Sequence, residues 1–219
     1  MKIAVFGTGD VGQAIATKLV SLGHEVKLGS RTANNEKAAA WVAKTGAKAS
    51  AGTYADAAKF GELVFNCTLG SGTIEALKMA GEGALDGKIV VDISNPLDFS
   101  KGMPPSLFIS NTDSLGEAVQ RTFPKAKVVK TLNTMWNGIM VNPRMLPEST
   151  VNYLCGNDAA AKGQVKDLLK TFGWKDEELL DLGDITCARG TESILPLWLR
   201  VFGATKNGAF NFKIVAAKS

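Results

Sequence analysis

MKIAVFGTGDVGQAIATKLVSLGHEVKLGSRT, residues 1–32, is the stretch whose reading decides the fold. A short apolar run, Lys2 to Phe6, leads straight into Gly7-Thr8-Gly9-Asp10-Val11-Gly12. From Val11 to about Leu22 the apolar residues Val11, Ile15, Leu19 and Leu22 fall on one helical face. Gly23 ends that stretch, and a second apolar run, Val26 to Leu28, follows. Strand, glycine turn, helix and strand form the context in which a G-x-G-x-x-G match becomes informative. Gly7 permits the tight turn off the strand, Gly9 lets a pyrophosphate approach the backbone, and Gly12 lets the helix pack close to the strand. The free amides at the helix start, at the positive end of its dipole, suit the phosphates. The stretch predicts a dinucleotide site.

The end of the second strand predicts which dinucleotide. An NAD site places Asp or Glu there, about 20 residues past the motif, on the ribose 2′-hydroxyl. Here the sequence reads Leu28-Gly29-Ser30-Arg31-Thr32, with no carboxylate until Glu36. Two hydroxyls flanking a guanidinium suit a 2′-phosphate, because arginine offers a planar fork of donors. NADP is therefore expected, with Ser30, Arg31 and Thr32 around its 2′-phosphate.

Working outward, the residues 34–44 (NNEKAAAWVAK) read as a helix capped by Asn34 or Asn35, with Trp41 packed on the sheet. Ala47 to Ser50 is a short strand, and Thr53 caps the brief helix YADAAKF. Leu63 to Thr68 is a buried strand, followed by the loop Leu69-Gly70-Ser71-Gly72 and a helix from Thr73 to Met79. In a doubly wound sheet this strand lies beside the first, where strand order reverses, so Thr68 and Leu69 are expected to face the cofactor ribose. Lys88 to Ile93 is the fifth strand. It ends in Ser94-Asn95-Pro96-Leu97, where Asn95 is placed for the nicotinamide amide or ribose and Pro96 fixes the turn. Residues 98–109 read as a long structureless loop that walls a substrate pocket. Asp113 or Ser114 begins a helix to Phe123, with Ser114 and Glu117 as a capping box. Lys127 to Thr131 is the sixth strand and empties into a loop carrying Asn133 and Trp136. Val151 to Cys155, Ala159 to Phe172 and Leu179 to Leu182 read as strand, helix and strand. A terminal helix from Thr186 to Phe202 is expected to be interrupted at Pro196. Alternating strands and helices predict an α/β class: a Rossmann doubly wound parallel sheet. Residues 1–150 are its NADP-binding domain, and 151–219 form a small C-terminal α/β extension on the same sheet.

Composition sets bounds. The 219 residues are 45% hydrophobic and 21% charged, with a net charge of +4. That excess is spread along the chain and forms no basic run of the kind nucleic acid selects. The three cysteines, Cys67, Cys155 and Cys187, are scattered and form no C-x-x-C, which favours a reducing compartment over disulfides or zinc. No apolar run reaches the ~20 residues of a membrane span and no signal peptide precedes the first strand, so a cytoplasmic protein is expected.

The chain carries little acid–base chemistry. Its single histidine, His24, lies in a helix-to-strand turn away from the predicted crevice. Asp181 and Asp184 flank a glycine turn and read as cap residues. No Ser-His-Asp set and no His-rich metal site is assembled. Hydride transfer between two redox cofactors needs no protein acid, only two rings held face to face.

The opening resembles that of the NADP oxidoreductases dependent on the deazaflavin coenzyme F-420, a domain also found in the cytoplasmic part of the STEAP metalloreductases. The likeness extends through LVFNCTLGSG, DISNPLDF, VVKTLNTMW and YLCGNDAAAKGQVKDLLKTFGW. It implies a Rossmann domain with a small extension, a homodimer, and hydride transfer between NADPH and a deazaflavin or similar flavin-like acceptor. It also implies pyrophosphate contacts from Thr8, Gly9, Asp10 and Val11, and 2′-phosphate contacts from Ser30 and Arg31. The loops Thr68–Gly72 and Asn133–Trp136 depart from that pattern: the first lacks the proline of deazaflavin-using members and the second is bulkier. The opening is also similar to the beta-hydroxyacid dehydrogenases and pyrroline-5-carboxylate reductases, which would imply a small oxo acid or imine as substrate. An NADPH-sensing module without catalysis is the third reading.

Overall fold

The computed structural model describes residues 1–217. The first half contains β1 (Lys2–Phe6), α1 (Asp10–Ser21), β2 (Glu25–Ser30), α2 (Glu36–Thr45), β3 (Ala49–Thr53), α3 (Tyr54–Phe60) and β4 (Leu63–Asn66). The second contains α4 (Thr73–Lys78), β5 (Ile89–Asp92), β6 (Leu97–Asp98), β7 (Ser106–Leu107), α5 (Leu115–Thr122) and β8 (Lys127–Thr131). It continues with α6 (Asn137–Val141), β9 (Asn152–Cys155), α7 (Ala159–Thr171), β10 (Leu179–Asp181) and α8 (Ala188–Thr205).

Eight strands form one sheet in the order β10-β9-β8-β5-β4-β1-β2-β3. Strand order reverses between β1 and β4, which lie side by side and parallel. Its central strands are apolar on both faces, as a sheet covered by helices on both sides requires. Ile3 and Val5 pack with Ile15 and Leu19 of α1 and Val165 and Leu169 of α7. The alternate residues Ala4 and Phe6 pack on the other face with Ala57 of α3, Leu77 of α4 and Val119 of α5. Asn35 caps α2 by accepting the Ala38 amide, and Thr53 and Asp56 form a full capping box on α3.

Three features differ from the sequence expectation. The sheet is not wholly parallel, since β9 runs antiparallel to β8. The connection between them contains the short helix α6, five residues or about 7.5 Å long and packed on α1, and a single 3-10 turn, Pro143–Met145. It never carries the chain back across the sheet, so β9 returns from the edge at which β8 ended. Residues 98–109 are not structureless: β6 and β7 pair as an antiparallel ribbon, and the Phe108 amide bonds the Pro96 carbonyl. Pro196 does not break the terminal helix, which runs continuously from Ala188 to Thr205.

Candidate functional site

A cavity of about 490 Å³ opens at the point where strand order reverses. Gly7, Thr8 and Gly9 form one wall, Cys67, Thr68 and Leu69 another, and Ser30 and Arg31 close one end. These belong to the loops after β1, β4 and β2, brought together because the three strands end at one edge of the sheet.

The glycines have distinct reasons to be there. Gly7 has φ +110°, and a Cβ on it would lie 2.6 Å from the Cys67 carbonyl oxygen. A Cβ on Gly12 would lie 2.0 Å from the Gly7 carbonyl oxygen. Both are therefore required by the protein's own packing. Gly9 is different: a Cβ there would meet nothing within 4 Å. The protein's own packing therefore does not require a bare Gly9, and the space in front of it is open. No side chain caps α1, so the amides of its first turn, at Asp10, Val11 and Gly12, are not taken up by a cap. The turn is held by Gln13, which donates to the Thr8 carbonyl at 2.9 Å, and by Asn137, which donates to the Asp10 carbonyl at 3.1 Å.

At the far end of the cavity Arg31 is exposed and, among the described residues, forms no salt bridge. Its guanidinium lies 3.7 Å from where a Gly72 Cβ would sit, so it reaches across to the turn Gly70–Gly72. Ser30 is buried, and its hydroxyl donates to the Thr32 carbonyl at 2.6 Å. Here its proton goes to the strand-end turn that presents Arg31. Thr32 is exposed and off the cavity wall, taking part through its carbonyl.

The second group of expected residues lies further along the same edge. Asn95 and Asn133 bond each other twice: Asn95 Nδ2 donates to the Asn133 carbonyl at 2.8 Å, and Asn133 Nδ2 donates to Asn95 Oδ1 at 3.0 Å. Their amide groups join the loops after β5 and β8 instead of standing free. Asn133 Oδ1 and Thr134 Oγ1 are buried without a partner. Pro96 is buried and turns the chain behind them. Gly70 allows the loop after β4 to touch this one, since its Cβ would lie 1.8 Å from the Asn95 carbonyl oxygen.

Beneath the edge is a buried polar network. Lys130 on β8 lies 2.9 Å from Asp92 Oδ2 on β5 and 2.7 Å from Glu192 Oε1 on α8. Burial works against the Lys130 charge, but the facing Asp92 and Glu192 carboxylates outweigh it and hold its pKa above the ordinary lysine value. Desolvation, with the Asp92 charge added, pushes the Cys67 thiol well above the usual thiol range, so the sulfur on the cavity wall is not a ready nucleophile. His24 is half-buried at the opposite edge, its pKa lowered by burial and then by the N-terminal and Lys48 charges. Among the described residues no group of three His, Cys, Asp or Glu is placed to hold a metal ion.

Ser71 and Gly72, on the backbone-rich loop expected at this rim, line the cavity, which also has walls that the sequence reading missed: Asn35, Tyr54 and Ala76. Asn35 and Tyr54 were assigned to a cap and a helix start. The available signal was adjacency, because β3 lies beside β2 and ends at the same edge. Burial raises the Tyr54 pKa while the Arg31 charge opposes it, which puts the phenol within electrostatic reach of the guanidinium.

Known proteins are similar to this chain in sequence and in fold. The family described as NADP oxidoreductase, coenzyme F420-dependent, matches residues 2–96. A candidate F420-dependent NADP-reductase from Arthrobacter sp. FB24 is 50% identical, with a TM-score of 0.92 over 99% of this chain and 100% of that one. The metalloreductase STEAP3 of Rattus norvegicus is 28% identical over 203 residues, 90% of this chain but only 38% of the rat protein. The chain thus spans well under half the length of that curated relative. An imine reductase from Streptomyces aurantiacus, 21% identical with a TM-score of 0.66 over 93% of this chain and 62% of its own, shares the fold. Half-identity over the whole length of the Arthrobacter protein, joined to the family match across the glycine turn, makes this chain a member of the NADP oxidoreductase, coenzyme F420-dependent family.

Proposed function

We propose that the protein transfers a hydride between NADP(H) and a flat, largely apolar acceptor of the flavin or deazaflavin type. The residues fit the nucleotide. Bare space at Gly9 and the uncapped first turn of α1 suit a pyrophosphate, with Thr8, Asp10 and Val11 supplying backbone around it. Arg31, exposed and free of any carboxylate among the described residues, suits the 2′-phosphate. The nicotinamide supplies or accepts two electrons and one hydrogen as a hydride, and any further proton comes from water. What the chain must do is orient two rings and keep water from between them.

The observation that carries the acceptor class is the apolar rim. Leu69 after β4, Phe99, Met103 and Phe108 on the β6–β7 ribbon that follows β5, and Trp136 after β8 are all exposed. Exposed large apolar groups gathered on one edge mark an interaction surface, and aromatic side chains suit stacking on a planar ring. Among the described residues no histidine stands on this rim, and the Asp98 carboxylate beside Phe99 is held below the usual carboxylate range by hydrogen bonds from Ser100, so it is not a ready acid for a small substrate. Asn95 and Asn133, tied to each other, shape the floor on which the nicotinamide would lie.

We assign the nucleotide site to residues 1–150 and treat residues 151–219 as an extension that carries α8. Leu197 on that helix is 57% exposed beside the Trp198–Phe202 stack, which suits a second copy of the chain. No helix among the described residues is long and apolar enough to cross a membrane. The unpaired cysteines suit a reducing, cytoplasmic setting. The test is NADPH consumption by the purified protein with flavins, deazaflavin and quinones, against small oxo acids and imines. Turnover with the planar acceptors is expected. Turnover only with oxo acids or imines overturns the acceptor, and NADPH binding without turnover on any of them overturns the enzyme.

A further inference from the structure

A line of hydrogen bonds leads from the buried charges to the cavity. Asp92 Oδ2 is committed to the Lys130 ammonium at 2.9 Å. Asp92 Oδ1 accepts from Asn66 Nδ2 at 2.7 Å, and from the Ser94 amide and hydroxyl at 3.1 and 2.7 Å. A carboxylate in an ion pair has no proton to give, so Asn66 must turn its NH₂ toward Asp92 and its oxygen away. That oxygen, Asn66 Oδ1, faces Thr68 Oγ1 at 2.7 Å. An amide oxygen only accepts, so Thr68 must spend its single hydroxyl proton there. Thr73, fully buried, is 2.9 Å from Thr68 Oγ1 and, with the Thr68 proton committed to Asn66, can only donate across that contact, an acceptor it prefers by distance to the Leu69 carbonyl at 3.3 Å. From Asp92 through Asn66 to Thr68, each donor direction is thus fixed by the one before it, beginning at a charge.

We propose that the Lys130–Asp92–Asn66 line acts as a positioning device that locks Thr68 as a hydrogen-bond acceptor toward the cavity, so that this wall reads a ligand hydroxyl and not a phosphate oxygen. Thr68 has one proton and two lone pairs. The proton is taken by Asn66, and one lone pair suits Thr73. The remaining lone pair can take only a donor. In a dinucleotide the phosphate oxygens accept, while the donors are the ribose hydroxyls and, at the two ends, the adenine and carboxamide amino groups; the β4 wall, next to the glycine turn, suits a ribose hydroxyl. The cavity therefore sorts the two kinds of group by chemistry: backbone amides on the glycine-turn wall and Arg31 at the far end for phosphates, and the Thr68 oxygen on the β4 wall for ribose. Asn66 and Asp92 do not line the cavity; they act through Thr68. The inference rests on the NADP reading above.

The experiment is a double-mutant cycle on NADPH binding, read by fluorescence titration, with the melting temperature of each variant measured alongside. Thr68→Val, which keeps the shape and loses the acceptor, should weaken NADPH about three- to tenfold, the range of one neutral hydrogen bond. Thr68→Ser should bind as wild type. Asp92→Asn lets the Asn66 amide turn over, and Asn66→Ala removes the link. Each should weaken NADPH by a similar factor alone and have little further effect in the Thr68→Val background. Additive losses overturn the positioning device. Wild-type affinity in Thr68→Val overturns the acceptor role, and does so even if the buried variants fail to fold. A wild-type protein that binds no NADPH overturns this inference and the nucleotide reading together, whereas normal wild-type binding with an additive cycle overturns this inference alone.

Discussion

Lys130 Nζ lies 2.7 Å from Glu192 Oε1, and neither side chain meets solvent: they are 0% and 2% exposed. Glu192 also accepts the Leu115 and Gly116 amides at 2.8 and 2.9 Å, which are the first two of α5. One carboxylate therefore ties the terminal helix to the sheet and to the start of another helix, where an anion is favoured by the exposed amides. Removing the lysine leaves Asp92 and Glu192 buried together without a cation. Lys130→Met should cost about 3–5 kcal/mol, a fall of about 10 °C in Tm for a chain this long. Combining it with Asp92→Asn and Glu192→Gln should restore part of the loss. A Tm within about 2 °C of wild type for the single variant would show that the network does not hold α8.

The contrast between Gly9 and Gly12 gives a second prediction. Gly12→Ala drives a methyl into the Gly7 carbonyl, 2.0 Å away, so strand and helix must part. A loss of roughly 1–3 kcal/mol in stability is expected, with cofactor binding falling as a consequence. Gly9→Ala meets nothing in the protein. It should leave Tm unchanged and weaken NADPH by an order of magnitude or more, because the methyl projects into the space kept for the phosphates. Equal losses of Tm in the two variants, read by thermal melts without ligand, would contradict this division of roles.

What was legible in the sequence is what is local. The glycine turn, the helix after it and Arg31 at the end of β2 lie within one βαβ unit, and their places in the fold follow from spacing alone. So did the Asn35 cap and the Thr53 cap, each set by side chains a few residues apart. Lys130 was not legible. In the strand KVVKT it reads as a charge at a strand end, and the partners that bury it come from β5 and from α8. Glu192 reaches Leu115 across 77 residues of sequence, and no periodicity encodes such a pair. The antiparallel turn of β9 was hidden for a related reason: strand direction depends on the edge from which a connection returns, not on the composition of the strand. The tie between Asn95 and Asn133 likewise spans two loops, so each asparagine read alone looked free to bind a ligand.

Glu117 supplies the pH prediction. The Arg189 guanidinium bonds its carboxylate, and the Ser114 hydroxyl donates to it at 2.7 Å. The hydrogen bond from Arg189 is the main cause that holds the Glu117 pKa below the ordinary 4.5, against the opposing effect of burial. A carboxylate depressed in the folded state adds stability that is complete above the unfolded pKa and is lost as pH falls through the folded one. The pair therefore steadies α5 against α8 at neutral pH and fails below about pH 4.5. Glu117→Gln should lower Tm at neutral pH and flatten the fall in Tm on acidification. Parallel acid limbs for the two proteins, in melts from about pH 6 to pH 3, would show that the pair carries none of the acid sensitivity.

Arg31 carries the sharpest prediction about the cofactor. It stands immediately after β2, where a carboxylate would repel a 2′-phosphate, and its guanidinium reaches toward the Gly70–Gly72 turn without a salt-bridge partner among the described residues. Ser30 supports it from below by bonding the Thr32 carbonyl, which fixes the turn on which the arginine is presented. A charge-assisted hydrogen bond to phosphate contributes roughly 1.5–3 kcal/mol, and about 1.4 kcal/mol is a factor of ten in affinity. Arg31→Ala should therefore weaken NADPH roughly ten- to a hundredfold. NADH lacks the phosphate, and its affinity should barely change. Arg31→Lys should recover only part of the loss, since an ammonium is a point charge without the planar fork. Fluorescence titration of both cofactors against wild type and the two variants decides the matter. If NADH and NADPH lose affinity equally, Arg31 supports the adenine or the loop and does not read the phosphate.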